Sequence, residues 1–296
     1  MTIQAASLPV DCRQVGVRYG HTQALDRATF QVEPGQVYAL LGRNGSGKTS
    51  LVRCLLGHQR PTAGRVELFG QDVWSSRQAL MHRVGVVAEE PDAPPLMTTR
   101  QLVRFCGGLY PTWDQVGVDQ RLQRFRIPMD LPFGRLSRGQ KGQVALALAL
   151  GPKPALLVLD DPTLGLDAVA RREVYDELLG ELGERGTTVL LTTHDLAGIE
   201  GLADRIGILH QGRLLVDASL EDLKARHRKV SWAPTQAVDP GDLAPFAPLW
   251  SRAGSLGGEA ILTQGDPSQV PGLQAHPLSL EELFVALVGS ESEVAS

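Results

Sequence analysis

Gly42-Arg43-Asn44-Gly45-Ser46-Gly47-Lys48-Thr49 satisfies the spacing G-x-x-x-x-G-K-[ST], and no other feature of the sequence restricts the possible folds so tightly. The run lies directly after Val37–Leu41, an apolar stretch that reads as a strand covered on both faces, and directly before Thr49–Leu56, which reads as a helix. Strand, glycine-rich turn and helix in that order make a phosphate cradle. The glycines let successive backbone N–H groups turn inward, the helix N-terminus adds positive potential, and Lys48 reaches the β- and γ-phosphates of a nucleotide. Thr49 offers its hydroxyl to a magnesium ion.

The same kind of apolar run recurs at Val84–Ala88, Ala155–Leu159, Thr188–Thr192 and Arg205–Leu209, separated by helical stretches such as 168–183. This alternation predicts an α/β fold with helices layered on a mixed or parallel sheet. Arg65–Leu68 and the stretch around Asp72 flank Phe69-Gly70-Gln71, which predicts a small antiparallel hairpin added to that core. Residues 137–150 open on Ser137, a good N-cap, and are apolar on every side up to Gly151-Pro152. At about 20 Å such a helix is too short to cross a bilayer and belongs in a core. From Trp232 to Pro271 the chain is rich in Pro, Gly and Ala, with one strand expected at Glu259–Thr263. Ser279 and Glu282 then have capping-box spacing, and Leu280, Leu283, Phe284, Leu287 and Val288 recur on one helical face. A smaller C-terminal module over 229–290 and a short tail, 291–296, are therefore expected. No internal repeat is visible, so the large domain occurs once.

Composition narrows the partners. Lys plus Arg (29) against Asp plus Glu (33) leaves a net charge of -4, which argues against a surface built to neutralise nucleic-acid phosphates. No stretch reaches the roughly 18 to 20 apolar residues of a membrane span, and the N-terminus lacks the basic-then-apolar pattern of a secretory signal. A cytoplasmic protein is the expectation. Cys12, Cys54 and Cys106 are odd in number and widely spaced, which suggests reduced thiols rather than disulfides or a zinc site.

The phosphate loop needs a strand that ends in carboxylate, and Ala155–Leu159 followed by Asp160-Asp161 supplies one. Asp160 would hold magnesium through water, and Asp161 would face the attacking water. Between these elements lies Leu136-Ser137-Arg138-Gly139-Gln140, and after them Thr192-Thr193-His194-Asp195 closes another strand. In this order the motifs of residues 10–228 resemble the nucleotide-binding subunit of an ATP-binding-cassette (ABC) transporter. The resemblance implies a P-loop NTPase cassette with a mixed sheet core, an antiparallel β subdomain and a helical subdomain, followed here by the small C-terminal α+β module.

The resemblance also implies roles. Tyr19 would stack on adenine, although an ordinary sheet aromatic is the alternative. Glu89 stands where the family usually carries Gln. It would touch magnesium and the attacking water while sensing the membrane partner, yet a carboxylate cannot donate a hydrogen bond as an amide does. Glu90 takes that place if the register slips by one. His194 would contact the γ-phosphate. Ser137, Arg138, Gly139 and Gln140 match the signature segment, with Arg138 in place of the commoner Gly; in the family this segment closes on ATP held by a second subunit. Two MgATP would be sandwiched in a homodimer or a heterodimer with another ABC subunit. Leu164-Gly165-Leu166-Asp167 resembles the loop joining the two sites, and Asp167 can also simply cap the next helix.

Asp161 is the largest departure, because most of the family has a catalytic Glu there. Free Asp and Glu differ by only about 0.4 unit in pKa, so basicity changes little. One methylene fewer withdraws the carboxylate by about 1 Å, and such a misplacement can cost about 100-fold in rate. Slow but real hydrolysis is expected. Pro91–Thr112 would dock a separate integral membrane permease, with Thr98 capping a helix over Thr99–Leu109, and the subunit would sit peripherally on the cytoplasmic face. The closing Ser279–Gly289 segment looks like that of the drug- or antibiotic-export branch. Lys224, Arg226, His227, Arg228 and Lys229 would meet lipid headgroups or form a solvated helix end. The rival readings are an ATP-gated clamp or regulator that moves no solute and a small-molecule kinase using the same loop.

Overall fold

The computed structural model describes residues 7–233, 238, 240–254, 257–264, 270 and 272–294. The chain divides into two compact units between Asp217 and Ala218.

The first unit opens on two long antiparallel strands, β1 (Val10–Tyr19) and β2 (Thr22–Val32). Neither was legible as a strand, because register shifts between Cys12 and Arg18 break the apolar alternation. Then follow β3 (Val37–Leu41), α1 (Lys48–Leu55), β4 (Ala63–Leu68), β5 (Gln71–Asp72), α2 (Val73–Met81) and β6 (Val84–Val87). A helical insertion comes next: α3 (Thr99–Gly107), α4 (Gln115–Arg124) and α5 (Arg138–Leu150). The unit is completed by β7 (Leu156–Asp160), α6 (Ala168–Arg185), β8 (Thr188–Thr193), α7 (Leu196–Ile199), β9 (Arg205–His210) and β10 (Arg213–Ser219). The expected hairpin is present, with Glu67 opposite Asp72 and Leu68 opposite Gln71.

One sheet has the order β2-β1-β4-β5 and the other β10-β9-β3-β8-β7-β6. In the second, β9, β3, β8, β7 and β6 run parallel, so their carboxyl ends share one edge. Every residue of β3 and β8 is buried, which is why these strands read as continuous apolar runs. The core between the sheets holds Phe30 stacked on Tyr38 at 4.9 Å, with Leu40, Leu51, Leu55, Val158 and Leu190 around them. Burial pushes the Tyr38 hydroxyl well above the usual phenol range; it donates to Asp217 at 3.2 Å.

Buried charge ties α4 to α6. Arg121 pairs with Glu177 at 2.5 Å and also with Glu181, while Arg124 pairs with Glu177. Arg185 reaches Glu181 at 3.3 Å and Asp114, the N-cap of α4, at 2.8 Å.

The second unit holds α8 (Leu220–Arg226), β11 (Arg228–Trp232), α9 (Pro240–Leu243), β12 (Pro248–Gly254), β13 (Gly257–Leu262), β14 (Gln274–His276) and α10 (Leu280–Val294). Its antiparallel sheet has the order β12-β13-β11-β14. Only β13 was legible beforehand. β14 is exposed along its whole length and β12 begins on Pro248, so neither shows an apolar period. Val230, Trp232, Leu243, Phe246, Ala260 and Leu262 form this unit's core. Ser279 and Glu282 make the expected reciprocal cap of α10, at 3.2 and 3.0 Å. That helix continues to Val294, past the expected start of the tail, and Ala295 and Ser296 lie outside the described residues.

Candidate functional site

The parallel register explains why distant motifs meet. Val87 is level with Leu159, Asp160 with Thr192, and Leu41 with Thr193. The segments that follow β3, β6, β7 and β8 therefore emerge at one edge, where ligands of open α/β sheets bind. A cleft of about 400 Å³ opens there, lined by Asn44, Gly45, Gly47, Lys48, Thr49, Glu89, Asp160 and Asp161 among others.

The loop is shaped by close approaches. Gly47 caps α1 with φ 111°, a left-handed value open to glycine, and a side chain there would strike the Ala24 carbonyl. Ser46 N donates to the Arg43 carbonyl at 3.1 Å, and the Ser46 carbonyl accepts from Gly212 N at 3.0 Å. Lys48 Nζ donates to the carbonyls of Gly42 at 2.7 Å and Arg43 at 3.3 Å. Gly42, Arg43 and Ser46 do not line the cleft; their main chain sets its curvature.

The two acids differ in setting. Asp160 Oδ1 accepts from the Thr192 hydroxyl at 2.6 Å. Asp161 has φ 50°, a left-handed conformation rare for a residue with a Cβ, and its N–H donates to Thr192 O and Oγ1, both at 3.1 Å. That turn sets Asp161 Oδ2 2.6 Å from His194 Nδ1, while Asp161 Oδ1 is buried without a hydrogen-bond partner. His194 is itself outside the cleft lining and reaches the site through Asp161.

The structure separates Glu89 from Glu90. Glu89 lines the cleft, whereas Glu90 is exposed and turned towards Arg138, 4.0 Å away. Tyr19 ends β1 with its ring partly exposed; its hydroxyl donates to Gln59 at 2.5 Å and lies 3.4 Å from Ser50 on the cleft rim. Ser137, Arg138, Gly139 and Gln140 form the N-terminus of α5 and do not line this cleft. Ser137 and Gln140 make a reciprocal cap at 3.2 and 3.0 Å. A Cβ on Gly139 would lie 2.8 Å from the Leu166 Cδ2 methyl, so any larger residue here would make that side chain shift. Asp167 does cap α6, accepting from Ala170 N at 2.9 Å. Sequence reasoning missed Ala24, Ser50 and the placement of Thr192, which line the cleft from neighbouring strands and helix. Only Thr192 left a signal, as the first residue of Thr192-Thr193-His194-Asp195.

Comparison with known proteins identifies the family. A family model described as "ABC transporter" matches residues 25–164. The chain is 33% identical over 213 residues to the bacitracin transport ATP-binding protein BcrA of Bacillus licheniformis, covering 71% of this chain and 70% of that protein. It is 34% identical over 304 residues to a Nod factor export ATP-binding protein I of Burkholderia thailandensis, covering 96% and 98% of the two chains. The chain belongs to the ATP-binding subunits of ABC transporters. Among solved structures, cbiO1 from Clostridium perfringens, part of the ABC transporter complex cbiONQ, superposes with a TM-score of 0.64 at 28% identity, covering 74% of this chain and 91% of that one. Another, an ATP-binding subunit of an ABC transporter, gives a TM-score of 0.67 at 25% identity, covering 73% and 92%.

Within this ABC cassette the electrostatics favour a polyphosphate with a cation. Burial holds the Lys48 ammonium below the usual lysine value, and Asp161, Asp160 and Glu89 pull it back towards the charged form. Thr49, Asp160 and Glu89 offer only hard oxygen donors, which suits magnesium. Among the described residues no cluster of three or more His, Cys, Asp or Glu is placed to hold a metal unaided. Magnesium bound with few protein ligands, the rest coming from phosphate and water, fits that donor set.

Proposed function

We propose that this ABC subunit hydrolyses ATP slowly to drive a separate integral membrane permease in the export direction. It would work as one half of a homodimer, or of a heterodimer with another ABC subunit, closing on two MgATP at the cytoplasmic face. The observation that carries this reading is that Ser137–Gln140, a helix tip suited to phosphate, lies outside the cleft that holds Lys48 and both acids. Each chain thus offers a nucleotide site and, apart from it, the capped N-terminus of α5 with Arg138 and no acid in its first turn, an arrangement that two chains would complete for each other.

The loop amides and Lys48 would hold the β- and γ-phosphates, with the adenine against Tyr19. Thr49, Asp160 and Glu89 would hold magnesium, which would supply neutralisation of phosphate charge. Asp161 Oδ1 would accept a proton of the attacking water, while His194 fixes Oδ2. The partner subunit's Ser137 would donate to the γ-phosphate, and loss of that phosphate would open the dimer.

An apolar surface supports permease docking in the stretch Pro91–Thr112. Leu96 is 86% exposed, and Phe105 and Leu109 are each 58% exposed, the latter two beside a groove that also includes Met97 and Arg104. No helix among the described residues is long and apolar enough to cross a membrane. Export is supported by relatives whose names are bacitracin transport and Nod factor export proteins. The clamp reading draws on Asp161 and Glu89, since both departures point to slow turnover. Affinity capture of the tagged chain from detergent-solubilised membranes discriminates: an integral membrane partner that stimulates ATP turnover supports transport, and a purely water-soluble assembly supports the clamp.

A further inference from the structure

The second unit carries a cavity of about 970 Å³ that the ATP cycle does not use. Its origin is legible in the strand pattern. On β11 and β13 the residues Val230, Trp232, Ala260 and Leu262 face the unit's core, so their neighbours Lys229, Glu259 and Ile261 turn to the opposite face. Helix α10 packs against the edge strand β12, with Leu283 and Ala286 buried, and a groove is left open between them. The groove is walled by Trp250, Ile261 and Val285, with Trp250 37% and Val285 62% exposed. Its volume lies at the upper end of the roughly 300–1,000 Å³ range of small-molecule sites.

The charge of the walls selects the ligand. Glu259, Glu281 and Glu282 line the groove against one cation, Lys229, which already pairs with Glu282 at 2.5 Å and Glu259 at 3.4 Å. Those pairs hold Lys229 above the usual lysine range, so it stays charged and engaged. The N-terminus of α10 does not turn the groove into an anion site. Unlike α5, this helix carries two acids, Glu281 and Glu282, in its first turn, and the Glu282 carboxylate itself closes the cap on Ser279 N.

We propose that this groove binds an amphiphilic organic cation, its apolar body against Trp250, Ile261 and Val285 and its positive centre towards Glu281 and the Trp250 ring. The inference is independent of the proposed function, because every residue it uses lies in the second unit.

The test is equilibrium dialysis of the full-length protein with tetraphenylphosphonium, and in parallel with tetraphenylborate, which has the same shape and opposite charge. Saturable phosphonium binding that ATP does not displace is expected, with the borate at least about tenfold weaker. Trp250→Leu, which keeps an apolar wall but removes the ring, should weaken phosphonium binding by about threefold to tenfold. Glu281→Gln should do so by a similar factor, and Val285→Lys, at an exposed position that does not threaten folding, should abolish it. No saturable phosphonium binding, equal binding of the borate, displacement by ATP, or affinity unmoved by Glu281→Gln and Val285→Lys would each overturn the proposal.

Discussion

At the scale of single residues, the proposed chemistry turns on Asp161, whose carboxylate is one methylene shorter than the Glu that the resemblance leads one to expect. The left-handed Asp161 backbone and the His194 contact at 2.6 Å fix where that carboxylate points. Lengthening it should restore reach. Asp161→Glu is expected to raise steady-state ATP turnover by up to about 100-fold without changing the affinity for ATP; unchanged turnover with the permease present would mean that the strained backbone already supplies the missing reach. Lys48→Ala should weaken ATP binding by at least about tenfold, since the one side-chain cation lining the cleft among the described residues is lost, and fluorescent-nucleotide titration reads this directly. Glu89 and Glu90 show where sequence stops. Both follow the same strand, and only the pairing of Val87 with Leu159 decides that Glu89 enters the cleft while Glu90 meets Arg138.

At the scale of elements, what the sequence revealed was whatever a short contiguous segment encodes. The phosphate loop, the Asp160-Asp161 strand end and the caps at Ser137 and Ser279 all depend on neighbours within a few residues. β1 and β2 were hidden because bulges scramble their alternation, and the Thr192–Asp160 bond because it crosses between strands. The α4–α6 network was hidden for the same reason, as Arg121 and its partners Glu177 and Glu181 lie on separate helices. Arg121→Met would leave two buried carboxylates without their main counter-charge and should destabilise the first unit by about 3–5 kcal/mol, measured by chemical denaturation. Asp114 gives a pH signature. The Gly117 amide, and then Arg185, hold its carboxyl below the ordinary value of 3.8. A folded pKa lower than the unfolded one means that the stabilisation is complete above pH 3.8 and fades as the pH falls through the lowered value. The stability difference between wild type and Asp114→Ala should therefore be about 1 kcal/mol at neutral pH and narrow in acid, as followed by melting temperature.

At the scale of the whole molecule, the central claim is that a single chain presents an incomplete site. Its cleft has the phosphate loop and both acids, while its own signature tip at Ser137 points elsewhere. On the proposed function a second cassette would complete it, with ATP as the ligand that joins the two. Light scattering coupled to size exclusion, on the Asp161→Asn variant with saturating MgATP, tests this most directly. The account predicts a mass near twice 31.9 kDa for the chain alone, or 31.9 kDa plus the partner's mass when another ABC subunit is present, reverting to separate chains on exchange into ADP. A mass that stays at that of one chain under both conditions would contradict it.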